Sequence, residues 1–173
     1  MTNIDTFLPI IKTIEQQWSS LAVKNLATSS IDSIVILNGQ HLISSIDETI
    51  NCTAIASHGM TDQSLTLIYI TPIPGAQVLT DSLYAFLLQL TALLPPLEFI
   101  ADLQSDQIVI RQSQIISRKH PIQSKSFIKA SQWLIPLLTQ SLDQITRQEL
   151  HPNDTRKMAD FLSETYFEAL KND

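Results

Sequence analysis

Histidine is the side chain that most often transfers protons or binds zinc near neutral pH, and this sequence contains four of them. Each lies in a different predicted segment, and three lie at predicted turns. No two have the spacing at which one helix presents a pair of zinc ligands. A metal site or an acid–base centre would therefore need residues from distant segments to converge. The four residues are His41, His58, His120 and His151.

Cys52 is the single cysteine, and its thiol is the strongest potential nucleophile in the chain. It falls inside a predicted strand, with no oxyanion-type turn beside it. The pattern favours a small buried hydrophobic residue over a catalytic one. A lone cysteine also excludes an internal disulfide and fits a reducing compartment.

Phosphate-binding and metal-binding motifs are missing from the sequence. The glycines Gly39, Gly59 and Gly75 are isolated, so there is no Gly-rich phosphate loop, and no Gly-x-Ser-x-Gly elbow occurs. Three carboxylates near the C-terminus are spaced four apart along a predicted helix, which is typical of a solvated face. These are Asp160, Glu164 and Glu168. We therefore expect no catalytic residues, no cofactor and no metal, in a protein that is not an enzyme.

The charge distribution disfavours nucleic acid as a partner. The net charge is −6, and residues 1–110 carry only two basic residues against ten acidic ones. Such an acidic surface repels phosphate backbones. The exception is a basic patch formed by Arg111, Arg118, Lys119, Lys125 and Lys129. It is either a solvated face or a docking site for an acidic segment, in which case Arg118 and Lys119 are candidate partner-binding residues.

Four of the aromatic residues on predicted helices could either pack in the core or contact a partner. Trp18 and Trp133 fall on apolar faces, where core packing is the ordinary interpretation and an exposed Trp would mark a binding hot spot. Tyr166 and Phe167 are adjacent, so they point to neighbouring faces and cannot both be buried on one side. Trp18, Tyr166 and Phe167 are accordingly candidate partner-binding residues.

The first half of the chain reads as a helix followed by a small sheet. Apolar residues spaced four, three, four and three apart predict one face of a helix within Asn3–Leu26. The small polar tract Ala27–Ser33 reads as a loop. Asn38-Gly39 is typical of a tight hairpin turn. We expect an antiparallel meander of three or four strands, with strand segments at 34–37, 42–46, 50–57 and 65–71.

A second helix, Ser82–Leu94, is apolar on nearly every side and is stopped by Pro95-Pro96. A helix of this kind must be covered on more than one face. One side can lie on the sheet, and the other needs a further layer or a second subunit. We therefore predict a homodimer, with a candidate dimer surface at Leu83, Phe86, Leu87, Leu90 and Leu94.

The second half contains a hairpin and two further helices. Strands within 97–103 and 108–116 are joined at Ser105-Asp106, and a long amphipathic helix from Ser124 or Ser126 to about Gln148 contains Pro136, which either kinks or divides it. A terminal helix follows over 154–171. The fold class is α+β, an antiparallel meander of about five strands with helices packed on it in the order α-β-β-β-α-β-β-α, plus an extra C-terminal helix. We expect one domain over 1–150, extended by a helical segment at 151–173.

This order of elements resembles the type III secretion chaperone fold and its YbjN-like relatives. The resemblance spans about 4–148 and is carried by Leu-Leu-Pro-Pro at 93–96, the hairpin Glu98–Ile116 and the long helix after it. It implies a dimer that holds an extended client segment along hydrophobic patches without ATP. It also implies that the sheet and the first helix form the client groove, while the second helix and the hairpin Leu97–Ile116 form the dimer contact.

The remaining expectations concern location and partners. Met1–Trp18 has no basic cluster ahead of an apolar run, so no signal peptide is expected. The longest apolar stretches are broken by polar residues and proline, which predicts no membrane span and a cytoplasmic protein. The favoured function is a non-catalytic, chaperone-like or adaptor domain that binds an unidentified client polypeptide through an apolar groove. The alternative is a small regulatory or structural module that uses the basic patch Arg111–Lys129, and a small enzyme ranks third.

Overall fold

The computed structural model describes residues 4–58, 65–74, 81–102, 104–105, 107–116, 122, 124–147 and 151–171. The helices are α1 (Ile4–Ser19), α2 (Asp81–Leu93), α3 (Ser124–Arg147) and α4 (Pro152–Lys171). The strands are β1 (Lys24–Ile31), β2 (Ile34–Ile43), β3 (Glu48–His58), β4 (Leu65–Pro74), β5 (Leu97–Asp102) and β6 (Gln107–Ile116). The predicted α+β class is confirmed.

The chain divides into two compact units. Unit 1 comprises Met1–Thr71 with Gln112–Lys129, and unit 2 comprises Pro72–Arg111 with Ala130–Asp173. The sequence suggested one domain over 1–150 with a helical extension. In the structure α4 belongs to unit 2, where it contacts α2.

The sheet of unit 1 is built on an antiparallel meander. Strands β1 to β4 are consecutive neighbours and pair antiparallel. The turn between β1 and β2 is Asp32-Ser33, where Ile31 opposes Ile34 and Asp32 has a φ of 52°. The predicted loop Ala27–Ser33 is therefore wrong, because most of this small polar tract forms β1. The predicted turn at Asn38-Gly39 is also wrong, because β2 runs through both residues.

Gly39 is required by close packing rather than by a turn. It lies on the buried face of β2, and a Cβ atom there would lie 2.7 Å from Val23 Cγ1 and 2.8 Å from Leu26 Cδ2. The ring of Trp18 would be 3.5 Å away. Only a residue without a side chain lets α1 and the chain after it approach β2 this closely.

Gly39→Ala is therefore expected to lower the free energy of unfolding by about 1–3 kcal/mol, the usual cost of inserting a methyl group into a packed core. Urea denaturation followed by circular dichroism measures this loss. Thr49→Ala is the control, because Thr49 is exposed on β3 and its change should stay within about 0.5 kcal/mol. Equal stability of the two variants would contradict the close approach.

The core of unit 1 lies between α1 and the inner face of the sheet. The predicted stripe of α1 is confirmed, since Phe7, Ile11, Ile14 and Trp18 are all buried. The helix contacts β1, β2 and β3. Trp18 has no exposed surface. The prediction that Trp18 binds a partner is therefore wrong, because the packed chain encloses its indole ring.

The core of unit 2 includes the face of α2 that the sequence assigned to a dimer. Leu83, Phe86, Leu87, Leu90 and Leu94 are all buried within the single chain. They are enclosed because α2 packs against both α4 and β5. The prediction of a dimer surface at these residues is wrong, since the layer that covers them is supplied by the same chain. The large apolar residues that α2 leaves exposed are Tyr84 and Leu88.

Polar side chains fix the ends of the elements in unit 2. The hydroxyl of Thr91 donates to the carbonyl of Leu87 and accepts from the N–H of Phe99, which ties α2 to β5. The turn between β5 and β6 is held by Asp102, whose carboxylate accepts from the Ser105 hydroxyl and the Gln104 N–H. These bonds, led by the one from Ser105, lower the pKa of Asp102.

The long helix α3 is continuous from Ser124 to Arg147 and contains Pro136. The alternative that proline divides it is therefore wrong. Ser124, at its first turn, donates a hydrogen bond to the amide oxygen of Gln17 within unit 1.

Candidate functional site

A groove runs between α3 and α4 in unit 2, with a volume of about 330 Å³. We call it the α3–α4 groove. From α3 it is lined by Leu137, Gln140, Ser141 and Gln144. From α4 it is lined by Asp154, Lys157, Met158, Phe161 and Leu162.

Helical periodicity explains why α3 presents this mixed face. Leu134, Leu138 and Leu142 recur at i and i+4 and are buried. Leu137 lies one residue before Leu138, about 100° around the helix, so it borders the buried stripe and is half-buried. Ser141 lies one turn further along the same face, so the α3 side of the groove is apolar at Leu137 and polar at Ser141.

The α4 side of the groove is formed in the same way. Thr155, Ala159 and Leu162 are buried, at spacings of four and three. Phe161 lies beside that stripe, and 63% of it is exposed. Neither Phe161 nor Met158 is among the candidate binding residues predicted from the sequence. The sequence signal for Phe161 is its position beside the stripe 155, 159, 162. It is offset by one residue from Leu162, so it lies at the edge of the buried face.

The chemistry of the groove is apolar with a neutral rim. Its ionisable residues are Asp154 and Lys157, whose charges lie 3.6 Å apart from Nζ to Oδ1. Opposite charges at this distance largely cancel. The side-chain amides of Gln140 and Gln144 supply both donors and acceptors. The groove can therefore enclose apolar side chains and hydrogen-bond a peptide, and it presents no strong field to a charged ligand.

Trp133 extends the apolar surface beyond the groove. It lies one helical turn before Leu137 on α3, so the two residues share a face. The structure leaves 53% of Trp133 exposed. An exposed Trp next to a groove is the arrangement found at many binding hot spots.

The structure separates the other candidate partner-binding residues. Phe167 is 43% exposed, and the half-buried Tyr166 meets its ring edge-on at 5.6 Å between centroids. Burial raises the pKa of the Tyr166 phenol. Neither residue lines the groove. Arg118 and Lys119 lie outside the described residues.

The basic patch is partly neutralised by the hairpin of unit 2. Arg111 donates from Nε to the Glu98 carboxylate at 2.9 Å, and its Nη2 contacts the same oxygen. Arg111 is therefore engaged in a cross-strand ion pair. Lys125 is exposed and Lys129 is half-buried on the first turns of α3.

The histidines are not assembled into a site by the part of the chain that the structure describes. His41 is buried on the inner face of β2, and burial lowers the pKa of its imidazole. His58 ends β3 and meets the ring of Phe7 edge-on at 5.0 Å. Within the described ranges, no three His, Cys, Asp or Glu residues gather as a metal-binding group. His120 lies outside them.

A second depression, on the outer face of the unit 1 sheet, is lined by polar side chains of β1, β2 and β3. The amide of Asn25 donates to Gln40 at 2.5 Å, and the hydroxyl of Thr53 donates to Asn38 at 2.9 Å. Gln40 and Asn51 lie directly opposite on neighbouring strands, and Nε2 of Gln40 donates to Oδ1 of Asn51 at 3.4 Å. These groups satisfy one another across the strands, so the depression is explained by sheet pairing.

Among the helices that the structure describes, none has the length and apolar character needed to cross a bilayer. Comparison of the chain with family models, with curated proteins and with solved structures finds no match.

Proposed function

We propose that this chain is a non-catalytic, chaperone-like or adaptor protein that binds a polypeptide segment through the α3–α4 groove and acts as a homodimer in the cytoplasm. The observation that carries the proposal is the exposure of Phe161 beside a cavity of about 330 Å³ between two amphipathic helices. A large aromatic side chain is costly to leave in water, and a partner that covers it gains its burial energy.

The groove favours a polypeptide over a small charged ligand. Its volume is at the low end of the range for ligand pockets, roughly 300–1,000 Å³, so it holds a few side chains of a longer segment. Leu137, Met158 and Phe161 can contact apolar anchors spaced along one face of an amphipathic helix. The neutral rim adds amide hydrogen bonds, and the affinity comes mainly from apolar burial.

The resemblance to type III secretion chaperones and YbjN-like proteins, carried by Leu-Leu-Pro-Pro and the elements around it, is compatible with such a role. In that family pattern the sheet and the first helix would form the client groove. We place the client in unit 2 instead, since Trp18 of α1 is enclosed and Phe161 is exposed. The alternative, a module that uses the basic patch, is weakened because Glu98 engages Arg111.

The test compares two phenylalanines on the same helix. A library of fluorescent amphipathic 15-residue peptides is titrated against the full chain and against Phe161→Asp. We expect micromolar binders in the library, and a loss of affinity of about thirtyfold or more in the variant, the scale of a hot-spot residue. Circular dichroism verifies that the variant stays folded.

Phe167→Asp is the matched control, because Phe167 is also exposed on α4 but does not line the groove. Its peptide affinity should stay within about twofold of the unchanged chain. A chain that binds no peptide, or equal losses in both variants, would overturn the proposal.

A further inference from the structure

Strand β1 ends the strand order of the sheet, so one side of its backbone faces no other described strand. An edge of this kind presents a row of N–H and C=O groups that can pair with another extended chain. All but one of the eight residues of β1 are exposed.

Only part of this edge is protected against such pairing. Natural edge strands are commonly blocked by proline or by charged side chains, and β1 carries neither between Asn25 and Ile31. A register shift between Lys24 and Ala27 interrupts the regular ladder. The straight segment available for pairing is therefore Ala27–Ile31, which we call the β1 edge.

The charges at the two ends of β1 favour a second copy of the same strand as its neighbour. Lys24 begins β1, and Asp32 follows its last residue. An antiparallel neighbour with the same sequence brings the Lys24 end of each strand beside the Asp32 end of the other. At each end of the pair, a lysine of one copy then lies near an aspartate of the other. A parallel copy would instead place lysine beside lysine and aspartate beside aspartate.

The side chains of the β1 edge also suit a second copy. With Ser29 on the twofold axis, Ala27 of one copy opposes Ile31 of the other, and Thr28 opposes Ser30. Ala27, Ser29 and Ile31 share the outer face, since they oppose Asn38, Ile36 and Ile34 of β2. The second copy thus partly covers Ile31, which is 61% exposed in the single chain.

We infer that two copies of this chain associate by antiparallel pairing of their β1 edges about Ser29. The inference rests on the homodimer of the proposed function and names its interface, and it replaces the α2 surface that the structure encloses. The α3–α4 groove belongs to unit 2, so peptide capture and strand pairing use different residues.

Disulfide trapping of the full chain tests the register. Residues directly opposite on antiparallel strands have Cα atoms about 4.5–5.5 Å apart, within the range that a disulfide bridges. Ser29→Cys should form a disulfide-linked dimer under mild oxidation. Thr28→Cys and Ser30→Cys should not do so alone, because each opposes the other residue, and a mixture of the two should cross-link. The native Cys52 is buried and should not interfere.

Charge variants test the interface independently. Ser29→Lys places two like charges opposite each other at the axis and should raise the dimer dissociation constant at least about tenfold by light scattering. Thr49→Lys, on the exposed face of β3, should leave it unchanged. Lys24→Asp should weaken the dimer, because it places an aspartate of one copy near Asp32 of the other.

The possible negative results overturn different claims. A dimer that resists cross-linking at Ser29 and ignores Ser29→Lys overturns the β1 interface and leaves the homodimer of the proposed function standing. A monomer at high concentration overturns both the interface and the homodimer, while peptide binding by the groove is still measured separately. A monomer that instead pairs β1 with an extended peptide also overturns the inference.

Discussion

Trp18→Ala is expected to lower the free energy of unfolding by about 3–5 kcal/mol. The indole of Trp18 has no exposed surface and lies over Gly39 of β2, where the chain is packed tightly. Removing it leaves a cavity that the neighbouring side chains fill only in part, and costs of this size follow. A domain of ordinary stability has about 5–15 kcal/mol in total, so the variant should be near the limit of folding.

Trp133→Ala is the matched control, because the same side chain is 53% exposed there. Its loss of stability should be under about 1 kcal/mol. Urea denaturation followed by far-ultraviolet circular dichroism measures both. Tryptophan fluorescence adds a second readout, since the Trp133→Ala protein retains only the enclosed Trp18 and should emit at shorter wavelength than the Trp18→Ala protein. Similar stability losses at the two sites would contradict the assignment of Trp18 to the core.

Phe86→Ala is expected to cost about 3–5 kcal/mol as well, and it distinguishes two roles for α2. If the buried face of α2 belongs to the core of the single chain, the variant should unfold at much lower denaturant concentration, whatever its oligomeric state. If that face were a dimer surface, the variant would be a folded monomer of nearly normal stability. Urea denaturation at two protein concentrations, with light scattering, separates these outcomes.

Leu88→Ala is the control for α2. Leu88 lies two residues from Phe86, but 68% of it is exposed. Its replacement should change the free energy of unfolding by less than about 1 kcal/mol. A stable monomeric Phe86→Ala protein would restore the α2 dimer surface and contradict the burial of this face.

The burial of the large apolar side chains of α2 and α1 changes where binding is expected. Both helices are rich in large apolar residues, yet each buries most of them against its own chain. Among the described residues, the most exposed aromatic side chains are Phe161 on α4 and Trp133 on α3. Binding energy available to a partner therefore lies with side chains that the fold leaves uncovered, and the α3–α4 groove contains the most exposed of these aromatics.

The local sequence pattern was sufficient to predict elements that bury one face and expose the other to solvent. The spacing of Phe7, Ile11, Ile14 and Trp18 predicted α1 and its buried stripe, and the structure confirms both. The α+β class was predictable for the same reason, since the period of the apolar residues changes between helix and strand.

Local pattern failed where a neighbour distant in sequence determines the conformation. Asn38-Gly39 has the composition of a tight turn, but Gly39 is there because Val23, Leu26 and Trp18 approach β2 too closely for a side chain. The small polar residues of Ala27–Ser33 resemble a loop, yet they extend the sheet because β2 supplies their hydrogen bonds. An edge strand exposed on both faces has no hydrophobic alternation to reveal it.

The sequence by itself determined which residues are apolar enough to be buried or to bind, and in which elements they lie. Only the tertiary structure decided which of them are covered. Coverage depends on packing between segments far apart in the chain, such as α4 against α2, and the periodicity of one helix carries no information about its neighbours. For that reason the sequence identified α2 as needing a second layer, and the structure showed that α4 is part of that layer.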